Sequence, residues 1–102
     1  MIRLIATDLD GTLLRQDGSI SARTRTALAN AREAGLVVAF VTARPPRDVH
    51  HIAEDLGITG MAVCSNGALL YDVAAIRVMR QEALPTAVAL QLITELRDHD
   101  PH

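Results

Sequence analysis

The sequence has no lysine and no tryptophan, and only one cysteine, one tyrosine and one phenylalanine. Each shortage excludes something. All ten basic residues are arginine, so these 102 residues cannot supply a Schiff base, a Walker-type phosphate loop or a lysine clamp on a phosphoryl group. Phe40 and Tyr71 are too few aromatics for a platform that stacks single-stranded nucleic acid. The net charge is -2 with no basic block, which argues against a binder of the phosphate backbone. A lone Cys64 cannot form an intrachain disulfide and fits a reducing compartment. The apolar start is broken at Asp8, too early for a signal-peptide core, and no apolar run approaches the ~18 residues of a membrane helix. The expectation is a soluble cytoplasmic protein without nucleic-acid or membrane partners.

What is present reads as one compact α/β domain, since 49% of the residues are hydrophobic. Leu4 to Ala6 predicts a buried strand that ends at Asp8-Leu9-Asp10-Gly11. Leu13-Leu14 and Ser19-Ile20 flank Asp17-Gly18, a hairpin signal read as a flap. Ser21 caps a helix whose apolar positions Ala27, Leu28, Ala31 and Ala34 recur at helical spacing until Gly35. Leu36 to Val41 is continuously apolar, the pattern of a parallel strand buried on both faces. A second helix opens at Pro45-Pro46 and stops at Gly57. Met61 to Cys64 predicts a third strand, 68–71 and 76–79 an antiparallel pair, and Pro85 opens a third helix followed by a polar tail, 98–102. Successive βαβ crossovers predict a three-layer Rossmann-like parallel sheet with helices on both faces, plus the flap hairpin, a C-terminal antiparallel hairpin and a helix. The expected division is a core over 1–84 and a terminal helix and tail over 85–102.

In such sheets ligands bind at the carboxyl ends of the strands. The residues there are Asp8 and Asp10, Thr42 to Arg44, and Ser65-Asn66. Two carboxylates about 5 Å apart repel by roughly 3 kcal/mol at an effective dielectric near 20. A divalent cation or a proton relieves this, and oxygen ligands favour Mg²⁺ over zinc. Gly11 lets backbone approach an anion, Thr42 offers a hydroxyl, and the first amides of the second helix face the same edge. These parts fit phosphoryl transfer: one aspartate attacks phosphorus, and the other protonates the leaving alkoxide and then activates water.

Asp8-Leu9-Asp10-Gly11-Thr12-Leu13-Leu14 resembles the first motif of the haloacid dehalogenase superfamily, in the form typical of its Cof-like phosphatase branch. Val41-Thr42-Ala43-Arg44 resembles the second motif, with Ala43 where the branch usually has glycine. Ser65-Asn66-Gly67-Ala68 resembles a turn typical of the branch. The resemblance implies that Asp8 is the nucleophile and a Mg²⁺ ligand, and that Asp10 is the general acid/base and a ligand through its carbonyl. It implies that Thr42, the amide of Ala43 and the amides from Leu9 to Gly11 hold the phosphate of a small phosphorylated metabolite. Arg44 and Asn66 are candidates for contacts with the substrate or its surroundings. The pattern also includes a lysine and a second acidic pair, which these residues lack, and a large cap domain. The expectation is therefore the first part of a Mg²⁺-dependent phosphatase, weakly active or inactive alone.

The rival expectation is a non-catalytic fragment that binds phosphate or Mg²⁺, or pairs with another chain through an exposed sheet edge. A phospho-accepting receiver domain fits less well, because those place an aspartate after the third strand, where this chain has Cys64-Ser65-Asn66. His50 and His51 project about 100° apart on a helix and read as exposed rather than chelating. His99, Asp100 and His102 read as a frayed tail, and Cys64 as a small buried hydrophobe.

Overall fold

The computed structural model describes residues 1–100, so Pro101 and His102, the end of the expected tail, lie outside the described residues. Five strands form one sheet in sequence order: β1 (Leu4–Thr7), β2 (Val37–Val41), β3 (Met61–Cys64), β4 (Leu69–Asp72) and β5 (Arg77–Gln81). β1 to β3 are parallel, with Ile5 opposite Val38 and Phe40 opposite Ala62. β4 and β5 continue antiparallel, with Tyr71 opposite Ala62. α1 (Ala22–Glu33) links β1 to β2 and α2 (Pro46–Leu56) links β2 to β3. These ranges agree with the expected elements to within about two residues, the usual scatter of element ends.

Local chemistry explains the boundaries. The Ser21 hydroxyl accepts the Thr24 N–H at 3.1 Å and so caps α1. Pro46 occupies the first turn of α2, where a missing N–H costs nothing, and Gly57 ends the helix in the left-handed region at φ 68°. The flap is a tight turn: Gly18 N–H donates to the Arg15 carbonyl and Arg15 N–H to the Ser19 carbonyl, with no extended ladder around them.

The α/β parallel arrangement stands, but its layering differs from the expectation. The buried strand residues Val38, Phe40, Ala62, Cys64 and Tyr71 join Leu28 of α1 and Val49 and Ala53 of α2 in a single cluster. Two crossovers that both step in the direction β1 to β3 bring both helices to one face of the sheet. On the other face Leu4, Val37 and Val41 are between 43% and 56% exposed, so β2 is covered on one side only. A two-sided sandwich requires the strand order to reverse, and among the described residues it does not.

Three further details differ from the expectation. His50 is half-buried, its Nδ1 3.2 Å from the Tyr71 hydroxyl and its Nε2 3.8 Å from Glu54. This seam joins α2 to β4. Asp98 and His99 lie inside α3 (Thr86–His99), and the Asp100 N–H still donates to the Leu96 carbonyl, so that stretch is helical rather than frayed. α3 itself buries none of its residues. Cys64 is fully buried as expected, and burial pushes its thiol pKa up.

The turn between β4 and β5 holds Ile76 at φ 52° with its side chain 70% exposed. A β-branched residue is strained in that region, and little packing repays the strain here. Replacing it, Ile76→Gly, is expected to raise the unfolding free energy by about 1 kcal/mol in urea titrations. A fall in stability would show that the Ile76 side chain contributes more packing than its exposure implies.

Candidate active site

The site starts from a contrast within three consecutive residues. Leu9 is completely buried, whereas Asp8 and Asp10 are exposed. Burying a leucine side chain is worth about 1.5–3 kcal/mol, and here it pins the loop after β1 into the core. The carboxylates on either side are left at the sheet edge. The Asp8 carboxylate accepts the Leu9 N–H through Oδ1 at 2.7 Å. Asp10 (φ -65°, ψ 127°) and Gly11 (φ 74°, ψ 0°) then form the centre of a type II turn, which needs positive φ at its third residue. Leu14 N–H closes the loop on the Leu9 carbonyl at 2.9 Å.

The end of β2 contributes Thr42. Its main chain is locked to β3 by its N–H, which donates to the Val63 carbonyl at 2.9 Å. The residue is only 4% exposed. Its Oγ1 accepts the Arg44 N–H at 3.1 Å, which leaves the hydroxyl hydrogen available for an acceptor in the cleft. The end of β3 contributes the turn Ser65–Gly67, where Ser65 (φ 50°), Asn66 (φ 56°) and Gly67 (φ 95°) are all left-handed.

An open cleft of about 400 Å³ lies where these segments meet. It is lined by Asp8, Asp10, Val41, Thr42, Ala43 and Asn66. The structure thus brings five of the expected residues around one space. The Leu9 side chain is in the core, and only its backbone can serve the site. Gly11 shapes the loop and does not line the cleft. Arg44 stands beside the cleft, with Nε 2.8 Å from Asp10 Oδ2 and Nη2 2.7 Å from Oδ1.

That fork dominates the electrostatics. It holds the Asp10 carboxyl below the usual carboxylate range, and it raises the Arg44 guanidinium in turn. A depressed pKa in the folded state favours folding above the unfolded value, and that contribution is lost as pH falls through the folded one. The fork is the feature that reading the sequence missed. Arg44 was a candidate, but nothing in the spacing pairs it with a residue 34 positions away. The available signal was a lone cation beside two carboxylates at neighbouring strand ends.

Among the described residues, no group of three or more His, Cys, Asp or Glu side chains converges to hold a metal ion. Two oxygens of the kind Mg²⁺ takes are nevertheless present. The Asp8 carboxylate lines the cleft, and the main-chain carbonyl of Asp10 is left out of the Arg44 fork, which takes only side-chain oxygens. Mg²⁺ commonly takes one or two protein oxygens and completes its shell with water and substrate phosphate. The donor set fits a Mg²⁺ ion held in that way.

The family model for haloacid dehalogenase-like hydrolases matches residues 5–102. Pyridoxal phosphate phosphatase YbhA of Escherichia coli (strain K12) is 41% identical over 100 residues, covering 98% of this chain and 37% of that protein. An HMP-PP phosphatase of Klebsiella pneumoniae (strain 342) is 31% identical over 87 residues, covering 85% of this chain and 32% of that protein. A haloacid dehalogenase-like hydrolase from B. subtilis superposes with a TM-score of 0.83 at 33% identity, over 97% of this chain and 34% of its own. BT1666 from Bacteroides thetaiotaomicron, a phosphatase of the same superfamily, gives 0.85 at 27% identity, over 98% and 37%. The chain spans about a third of the length of these relatives. No helix among the described residues is long and apolar enough to cross a membrane.

Two outcomes follow. An alanine Cβ at Gly11 meets nothing within 4 Å, so Gly11→Ala acts through backbone strain alone, costing about 1–2 kcal/mol in chemical denaturation. In Arg44→Ala the Asp10 carboxyl is expected to titrate closer to the ordinary value of about 3.9, read from its carboxyl ¹³C shift. An unchanged titration would mean that the fork does not hold in solution.

Proposed function

This chain belongs to the haloacid dehalogenase-like hydrolase family, and we propose that it carries the nucleophile and phosphate-binding part of a phosphomonoesterase acting on a small phosphorylated metabolite. The observation that supports this most is the convergence of Asp8, Asp10, Thr42, Ala43 and Asn66, from three strand ends, on one cleft. Two of the relatives are phosphatases named for pyridoxal phosphate and for HMP-PP, which suggests the substrate class.

In this reading the Asp8 carboxylate oxygen attacks phosphorus, the bond to the alkoxide breaks, and an aspartyl phosphate forms. Protonated in the substrate complex, Asp10 gives its proton to the departing alkoxide, working against the Arg44 fork that favours its ionised form in the empty site. It then takes a proton from the water that attacks the aspartyl phosphate, releasing phosphate and restoring Asp8. The Thr42 hydroxyl, the Ala43 amide and the amides from Leu9 to Gly11 hold the phosphate oxygens, the Leu9 amide by exchanging its bond to Asp8 Oδ1 for one to the substrate. The Asp8 carboxylate and the Asp10 carbonyl would hold Mg²⁺, which when bound offsets the repulsion between carboxylate and phosphate. The proposed division is a core over 1–84 carrying all of these residues, with 85–102, including α3, outside it.

Charge compensation sets the expected rate. The superfamily pattern places a lysine beside the nucleophile and a second acidic pair at the metal, and these 102 residues provide neither. Removing one such transition-state contact typically costs ~10²–10³ in rate. Assayed alone with p-nitrophenyl phosphate and Mg²⁺, the chain is therefore expected to turn over at least about 10²-fold more slowly than full-length relatives. Asp8→Asn should abolish the remainder. Turnover equal to those relatives would overturn the view that the site is partial, and turnover indifferent to Asp8→Asn would overturn the nucleophile assignment.

A second reading is supported by the uncovered sheet face and by the exposed Val88, Leu92, Ile93 and Leu96 of α3. In it, the chain is a non-catalytic phosphate-binding unit that pairs with another chain. Sedimentation that shows a monodisperse monomer would count against it.

A further inference from the structure

We propose that Arg44 and the left-handed turn Ser65–Gly67 form a positioning relay that fixes the carboxylate of Asp10. The inference rests on the reading of Asp10 as the acid/base. It adds a positioning role for Arg44 and for the backbone of the turn.

The Arg44 side chain meets both oxygens of Asp10, at 2.7 and 2.8 Å. A two-point contact from a planar guanidinium sets the plane of the carboxylate as well as its position, which a single-point cation cannot do. The pair is a poor stability device. Its side chains are 32% and 60% exposed, and exposed pairs contribute little to folding. Its geometric consequence is larger: it joins the loop after β1 to the loop after β2.

A fork positions its partner only if its own main chain is fixed. Arg44 lies between β2 and α2, outside both. Its N–H donates to Thr42 Oγ1. Its carbonyl accepts the Ser65 N–H at 2.9 Å, and the Thr42 carbonyl accepts the Asn66 N–H at 3.1 Å. Both donors come from consecutive residues held at positive φ. That conformation is unfavourable for serine and is adopted where surrounding contacts enforce it. Here it aims two adjacent N–H groups at the carbonyls of residues 42 and 44. The strained turn therefore holds the Arg44 backbone, the backbone aims the guanidinium, and the guanidinium orients Asp10.

The test uses the whole 102-residue chain and reads geometry rather than turnover. Arg44→Lys keeps the charge and removes the fork. Gly67→Ala strains the turn at φ 95° without a clash, since a Cβ there meets nothing within 4 Å. Gly18→Ala is the control, a positive-φ glycine in equally open space in the flap. The readouts are the Asp10 Hα–Hβ couplings, which report side-chain rotamers, and the exchange of the Arg44 Nε–H proton. Circular dichroism confirms that each variant folds.

In the unmodified chain Asp10 should occupy one rotamer, and the Arg44 Nε–H should be the slowest of the arginine Nε protons to exchange. Arg44→Lys should leave Asp10 averaged over rotamers. Gly67→Ala should average it partly and speed Nε–H exchange by about two- to fivefold, the range for releasing an exposed ion pair. Gly18→Ala should change neither. An averaged Asp10 in the unmodified chain, or one still locked in Arg44→Lys, would overturn the role of Arg44. A folded Gly67→Ala with an unaltered Nε–H would overturn the role of the turn. Because every readout concerns the empty chain, a failure of the phosphatase reading would appear in the turnover assay and not here.

Discussion

The architecture of the site depends on the burial of Leu9. An apolar side chain at zero exposure between two aspartates decides which way each neighbour points. Core packing takes Leu9 inward and leaves Asp8 and Asp10, on either side of it, facing water. No attraction between the carboxylates is required. A hydrophobic contact does the work of bringing two like charges to one edge, against their mutual repulsion. The Gly11 turn and the Leu14 N–H bond then close the loop behind them.

Charge at this edge is balanced by an arginine rather than by a lysine. A guanidinium resists deprotonation, carries a fixed fork and is only weakly hydrated. It can stand against a carboxylate at the surface without losing its charge, but it cannot contract to a point between nucleophile and phosphate as an ammonium can. The fork claims both side-chain oxygens of Asp10 and leaves its main-chain carbonyl out of the pairing.

Most of the fold was legible in the sequence because its signals were local. Ser21, Pro46 and Gly57 mark helix ends through backbone chemistry that does not depend on the rest of the chain. The run Leu36 to Val41 marks a strand, and Asp10-Gly11 a turn. The motif residues at the strand ends were legible for the same reason, and the cleft gathers five of them. What was not legible was relational. An apolar run does not say whether one face or two are covered, and β2 proved to be covered on one. The number of crossovers does not give their direction, so the single helical layer was unforeseen. Neither the Arg44–Asp10 fork nor the His50–Tyr71 seam leaves a trace in spacing, since each joins residues more than twenty positions apart.

The scarcity of aromatics has a practical side. Tyr71 is the sole tyrosine, no tryptophan masks it, and it sits 5% exposed against the half-buried ring of His50. The near-ultraviolet signal of the folded chain therefore comes from essentially one phenol, at one seam between the second helix and the fourth strand. The molecule carries a built-in optical reporter of whether that helix is docked, with no label to attach and no second chromophore to subtract.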